Sequence, residues 1–164
     1  MDVFKSIARS LFRGLAAVHE ANVVHRDLKP ENILLKGDEA MLADFGQAKM
    51  LVKDGASTPF CTSRYYRAPE LILASYYYDE SVDVWAAGTI LFELFTKVVM
   101  FHARKEEAET LIEIQQILGP PTKNDLNQLA NQFGVDKQVM INFRNWSATD
   151  SSQSIDIVDL MRPR

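Results

Sequence analysis

The sequence predicts a mainly α chain carrying a small β element, and three observations point there. Apolar residues recur at helical spacing from Phe4 onward. Short apolar runs separated by turn residues cluster between positions 23 and 43. A long apolar segment at about 81–97 reads as a helix buried over most of its circumference.

Taken in order, Phe4, Ile7, Leu11, Leu15 and Val18 form one stripe of a helix packed on a core. Val23-Val24, Ile33-Leu34-Leu35 and residues 40–43 read as short strands, with Gly37-Asp38 turning between the last two. Residues 47–67 are rich in Ser, Thr, Gly and Lys and read as an exposed loop. Ser81 is placed to cap the central helix, where Val84, Trp85, Gly88, Ile90, Leu91, Leu94 and Phe95 point in nearly every direction. Ala108, Leu111, Ile114, Gln115 and Leu118 outline a further helix, stopped by Gly119 and Pro120-Pro121. Beyond Asn131 the periodicity weakens, with Ile155, Val158 and Leu160 as the core of a final short helix.

Composition narrows the function. A chain of 164 residues, 47% of them hydrophobic, buries one core or one lobe of a larger one. A formal net charge of -4 argues against general affinity for nucleic acid or anionic membrane. The single cysteine, Cys61, excludes an internal disulfide and suits a reducing compartment. Met1 and Asp2 lead into a helical pattern rather than a signal peptide. The most apolar stretch, at about 82–95, carries Asp83 and Glu93 and is too short to span a bilayer. No internal repeat or linker divides the chain. These features predict a soluble chain of the cytoplasm and/or nucleus, with neither nucleic acid nor membrane as a partner.

The chemistry-bearing residues are concentrated. "HRDLKPEN" (25–32) places a carboxylate, Asp27, an ammonium, Lys29, and a carboxamide, Asn32, on one tight loop between strands. "ADFGQAK" follows the next hairpin and supplies a second carboxylate, Asp44. Phosphoryl transfer needs an acceptor for the hydroxyl proton, oxygens to hold magnesium, and a cation for the charge on the phosphoryl oxygens. Asp27, the Asn32 and Asp44 pair, and Lys29 meet those needs in that order.

With these motifs the chain resembles a eukaryotic protein kinase, from the catalytic loop (25–32) through "DFG" (44–46) and the activation loop (47–67) to "APE" (68–70). "DVWAAG" (83–88) is similar to the family's central helix, and by resemblance Asp83 caps the catalytic-loop backbone. Lys29 resembles the lysine of serine/threonine kinases. "TSRYYRAPELIL" and "LIEIQQILGPPT" resemble the CMGC group, with a CMGC-like helical region at about 105–164. "DFGQAKMLV" with "SRYYRAPEL" is most similar to the glycogen synthase kinase 3 branch. The resemblance implies ATP and Mg2+ as cofactors and protein Ser/Thr hydroxyls as acceptors. It also implies Leu34 as the floor under adenine, and Thr58, Ser63, Arg64, Tyr65 and Arg67 as activation-loop and substrate-facing residues. His25, Phe45 and Glu70 become structural.

The departures shape the expectation equally. The glycine-rich phosphate cover, the strand lysine, its glutamate partner and the adenine hinge have no match in the sequence. The expected fold is therefore a kinase-like C-terminal lobe with the N-terminal β lobe absent, completed by a missing lobe or a scaffold protein and inactive by itself. "FHA" (101–103) stands where the family has "FPG", and Arg162 and Arg164 match poorly the arginine that pairs with Glu70. Phe60 occupies a position where related kinases carry a regulatory tyrosine. Arg26 and Lys49 then form a candidate phosphate site, served by phosphorylated Thr58 or by a phosphorylated substrate. A non-catalytic binding module or pseudokinase fragment is the alternative. His19 and His102 lack partners at metal spacing, Tyr76-Tyr77-Tyr78 reads as loop packing, Cys61 as an inert thiol, and 103–109 as a solvated helix start.

Overall fold

The computed structural model describes residues 2–51, 55–59, 63–102, 107–132 and 134–135. Phe60, Cys61, most of the 103–109 run, the helix expected around Ile155, Val158 and Leu160, and both Arg162 and Arg164 lie outside the described residues.

Helix α1 (Asp2–Glu20) buries Ile7, Leu11 and Leu15, the centre of the predicted stripe. It lies on strand β3 (Glu39–Leu42) and on helix α3 (Ser81–Thr96). Ser10 fastens the first contact, since its Oγ accepts from Ala40 N at 2.7 Å while donating back to Ser6 O at 2.9 Å. The helix ends at an Asn22 with φ 55, and Asn tolerates that left-handed turn better than most residues.

Two small antiparallel sheets follow. Strand β2 (Ile33–Lys36) pairs with β3 in the register Leu34↔Met41, and the tight turn between them has Gly37 at φ 60. Strand β1 (Val23–Val24) pairs with β4 (Lys49–Met50). The second pairing corrects the reading of 47–67 as a wholly exposed loop. Backbone hydrogen bonds to β1 hold Lys49–Met50, and Ser57, Pro59, Tyr66 and Arg67 are buried. Ser/Thr/Gly composition reports the lack of a periodic apolar face, not the lack of partners.

Helix α2 (Pro69–Ile72) follows and is short, with Leu71 and Ile72 buried. Helix α3 begins at Ser81, yet Ser81 is not its cap. The Ncap residue is Glu80, and the Asp79 carboxylate accepts from Ser81 N at 2.9 Å. Nor is α3 covered all round among the described residues. Val82, Asp83, Ala86, Ala87 and Ile90 are buried against the catalytic-loop side, whereas Val84, Gly88 and Phe95 are exposed.

Helix α4 (Glu107–Leu118) stops at Gly119, whose φ of 86 and hydrogen bond to Gln115 O close the last turn. Helix α5 (Lys123–Asn131) follows, opened by a reciprocal box between Thr122 and Asp125. The Asp125 carboxyl sits below its usual range because it accepts first from the Thr122 backbone and then from its hydroxyl. Ile72, Leu73, Phe101, Leu111 and Ile114 form one core cluster under α4. Ile7, Leu11, Leu15, Leu28, Ala87 and Ile90 form another, which supports the loop carrying Asp27.

Candidate active site

The loop 25–32 is held from beneath by one buried carboxylate. Asp83, 1% exposed, accepts from His25 N through Oδ2 at 2.8 Å and from Arg26 N through Oδ1 at 2.9 Å. His19 Nε2 adds a third contact to Oδ2 at 2.9 Å. A buried carboxylate is tolerated only when its oxygens are satisfied, and these three donors do so. In return Asp83 holds Arg26 at φ 68, a conformation that costs a non-glycine residue about 1–3 kcal/mol.

His25 is fully buried and joins the two motif loops. Its Nε2–H donates to Ala43 O at 2.9 Å, leaving Nδ1 to accept weakly from Asp27 N at 3.4 Å. Its ring lies 4.8 Å from that of Phe45. Phe45 itself is exposed, so it covers the imidazole from outside.

Asp27 is the hub of the site. Lys29 Nζ donates to its Oδ2 at 2.9 Å, with Asn32 Nδ2 farther off at 3.4 Å. Oδ1 accepts from Ser63 Oγ at 3.1 Å and from Ser63 N at 3.3 Å. Asn32 Nδ2 also donates to Asp27 O at 2.8 Å. The hydrogen bond to Asp27 raises the Lys29 pKa above its ordinary value; burial opposes this, and the charges of Asp27, Glu31 and Asp44 add to it. Lys29 is therefore a fixed cation at neutral pH.

Asp44 enters through the neighbouring strand. Ala43 N donates to Asn32 O at 2.9 Å, which brings the end of β3 against the catalytic loop. Asp44 then adopts φ 59 and starts a single 3-10 turn, Phe45–Gln47, with its Oδ1 accepting from Gly46 N at 3.2 Å. A Cβ on residue 46 would stand 3.0 Å from that oxygen, so any other residue there would make the Asp44 carboxylate give way slightly.

A magnesium ion fits this donor set. The Asn32 amide nitrogen is committed to Asp27, leaving Oδ1 as a neutral acceptor; Asp44 is exposed and keeps Oδ2. Both are hard oxygens, the type that Mg2+ takes alongside phosphate oxygens and water. Among the described residues no three His, Cys, Asp or Glu side chains cluster at metal distance.

The remaining predicted residues fall into separate neighbourhoods. Leu34 lies on β2 two residues beyond Asn32 and is exposed. Arg64 and Tyr65 form an exposed turn directly after Ser63, whereas Arg67 is buried. Glu70 is buried away from Asp27, lining a cleft with Leu111, Pro121 and Leu129, and burial pushes its carboxyl up to about 6. Lys49 Nζ donates to Ala56 O at 2.9 Å and Ser57 Oγ at 2.8 Å. Arg26 donates to Gln47 O at 2.6 Å and Tyr78 Oη at 3.1 Å, and Tyr78 Oη in turn donates to Thr58 O.

Sequence reasoning missed His19, whose link to Asp83 spans 64 residues, and the contact of Ser63 with Asp27. It also missed Tyr66, which donates to Glu93 Oε2 at 2.8 Å and whose phenol burial holds above the usual range. None carried a local signal beyond the residue type.

Comparison with known proteins agrees with this geometry. A family model described as protein kinase domain matches residues 1–162. Serine/threonine-protein kinase MAK of Rattus norvegicus and that of Mus musculus are each 37% identical to the chain over 166 residues, covering 98% of the chain. The alignment covers 26% of each, so the chain spans about a quarter of the length of these curated relatives.

Proposed function

Because the chain belongs to the protein kinase family, we propose that it forms the catalytic and substrate-facing lobe of an ATP-dependent serine/threonine kinase of the CMGC group. It would transfer the γ-phosphate of ATP to protein Ser/Thr hydroxyls. One observation carries this reading. Asp27 has a cation on one carboxylate oxygen and a serine hydroxyl on the other, so a hydroxyl already sits where an acceptor's proton would be taken.

In this reading Asp27 accepts the proton of the substrate hydroxyl and Lys29 offsets charge on the transferring group. Magnesium, when held by Asn32 Oδ1 and Asp44, supplies positive charge to the phosphate oxygens. Leu34 contributes the floor under adenine, and the exposed Arg64 and Tyr65 meet the protein substrate. The placement on the glycogen synthase kinase 3 branch rests on two motifs alone, and the matching relatives carry a different name. Arg26 and Lys49 remain a proposed phosphate site, at which an incoming phosphate would have to displace Tyr78 Oη, Ala56 O and Ser57 Oγ.

Transfer further requires a nucleotide-holding lobe, whether from a longer form of the chain or from a partner. The test is peptide phosphorylation by the two-lobe enzyme. Asp27→Asn keeps the shape of the side chain and removes the proton acceptor, so turnover is expected to fall about 10²–10⁴-fold. Asp44→Asn is expected to lower turnover and also to weaken magnesium-dependent nucleotide binding. Near-normal turnover in Asp27→Asn would sink the assignment and favour a non-catalytic binding module.

A further inference from the structure

One buried side chain joins the activation loop to the residue preceding Asp27, and the catalytic reading leaves it unused. The Tyr78 hydroxyl accepts from Arg26 Nη1 at 3.1 Å and donates to Thr58 O at 2.9 Å. A phenol hydroxyl has one proton and free lone pairs, so both contacts are made at once. Arg26 is fixed on its other sides, by Asp83 at its backbone nitrogen and by Gln47 O at Nε. Segment 55–59 is docked on the same surface. Ser57 N donates to Tyr76 O at 2.7 Å, Lys49 holds Ala56 and Ser57, and Ser57 and Pro59 are buried.

We infer that Tyr78 is a positioning residue whose hydroxyl ties the activation loop, at Thr58, to the catalytic loop, at Arg26, in the unphosphorylated chain. It does between those two points what a loop phosphate bridging to Arg26 would do after modification. The bond from Arg26 is charge-assisted and therefore stronger than a neutral one. The hydroxyl's other partner, the Thr58 carbonyl, lies five residues before Ser63, which contacts the Asp27 carboxylate. Loss of the hydroxyl would leave Arg26 Nη1 without this acceptor and Thr58 O without this donor, while the ring still fills its place among Val24, Leu71 and Val82. The consequence for catalysis rests on the kinase reading; the tie itself does not.

The experiment is amide hydrogen exchange on the full-length protein, with the amides of α1 as internal reference. Tyr78→Phe keeps the ring, and it should speed exchange of segment 55–59 about fivefold, the effect of one net hydrogen bond, with α1 unchanged. In an Arg26→Ala background the same substitution should have a clearly smaller effect, because half of the bridge is already gone. Unchanged exchange at 55–59, equal acceleration in α1, or an equal effect with and without the guanidinium would each overturn the proposal. A parallel peptide-phosphorylation assay with the two-lobe enzyme should show Tyr78→Phe raising KM for the peptide more than it lowers kcat; KM equal to that of the parent would overturn the catalytic consequence. Absence of phosphotransfer in the parent two-lobe enzyme, with the exchange differences intact, would count against the kinase reading and leave the tie standing.

Discussion

Glu70 shows what a single buried charge does when the described residues offer it no ionic partner. Desolvation is the main cause of its raised pKa, opposed by a backbone hydrogen bond and aided by the charge of Asp79. The folded carboxyl keeps its proton up to about 6, whereas the ordinary value is 4.5. Between those values the folded state binds more protons than the unfolded one, so stability falls as pH rises through the window and stays lower above it. The gap corresponds to about 2 kcal/mol. Glu70→Gln should therefore raise the denaturant midpoint at neutral pH and flatten its fall between about pH 4.5 and 6. A pH slope identical to the parent's would show that Glu70 ionises freely. At this scale the sequence is legible where residues are close along the chain. Asp27, Lys29 and Asn32 announce themselves because six residues of tight loop leave their polar ends nowhere to diverge. Ser63 reaches Asp27 across 36 residues, and only the packing of the whole lobe brings it there.

Elements differ in how much of their cause is local. Helix α1 was readable because its apolar stripe is also its buried face. Strand β4 was not, since two residues have no period and pair only because β1 is within reach. Helix α5 should have been readable from Thr122 and Asp125, but its weakly apolar body hid a strong local cap. The same division predicts the cost of damage. Leu11→Ala empties a fully buried site shared by α1, Leu28 and Ile90, and should cost about 2–5 kcal/mol. Thr122→Ala removes an exposed cap and should cost about 1 kcal/mol. Urea unfolding of both variants measures the difference. If Thr122→Ala proved the more damaging, the core under the catalytic loop would not be what holds the lobe together.

At the scale of the whole molecule, the site is open on the face that would meet a nucleotide. Leu34 and Met41, paired across the hairpin next to Asn32 and Asp44, are 54% and 44% exposed on one face, and Leu35 is 55% exposed on the other. No helix among the described residues is long and apolar enough to cross a membrane. Exposed apolar side chains of this kind invite association unless another surface covers them. In the proposed reading Asp27 is the proton acceptor, Lys29 the cation, and Asn32 and Asp44 the magnesium oxygens, and among the described residues no glycine-rich loop or strand lysine stands with them. Holding reactants in a productive geometry is worth as much as ~7–11 kcal/mol of a barrier, and most of that is missing without a second surface. Residues 1–164 alone should therefore bind ATP weakly, transfer little phosphate and self-associate on sedimentation. Addition of a kinase N-terminal lobe, in cis or in trans, should restore both solubility and turnover. Robust magnesium-dependent phosphorylation of a peptide by residues 1–164 alone would show that Asp27, Lys29, Asn32 and Asp44 position the nucleotide without help.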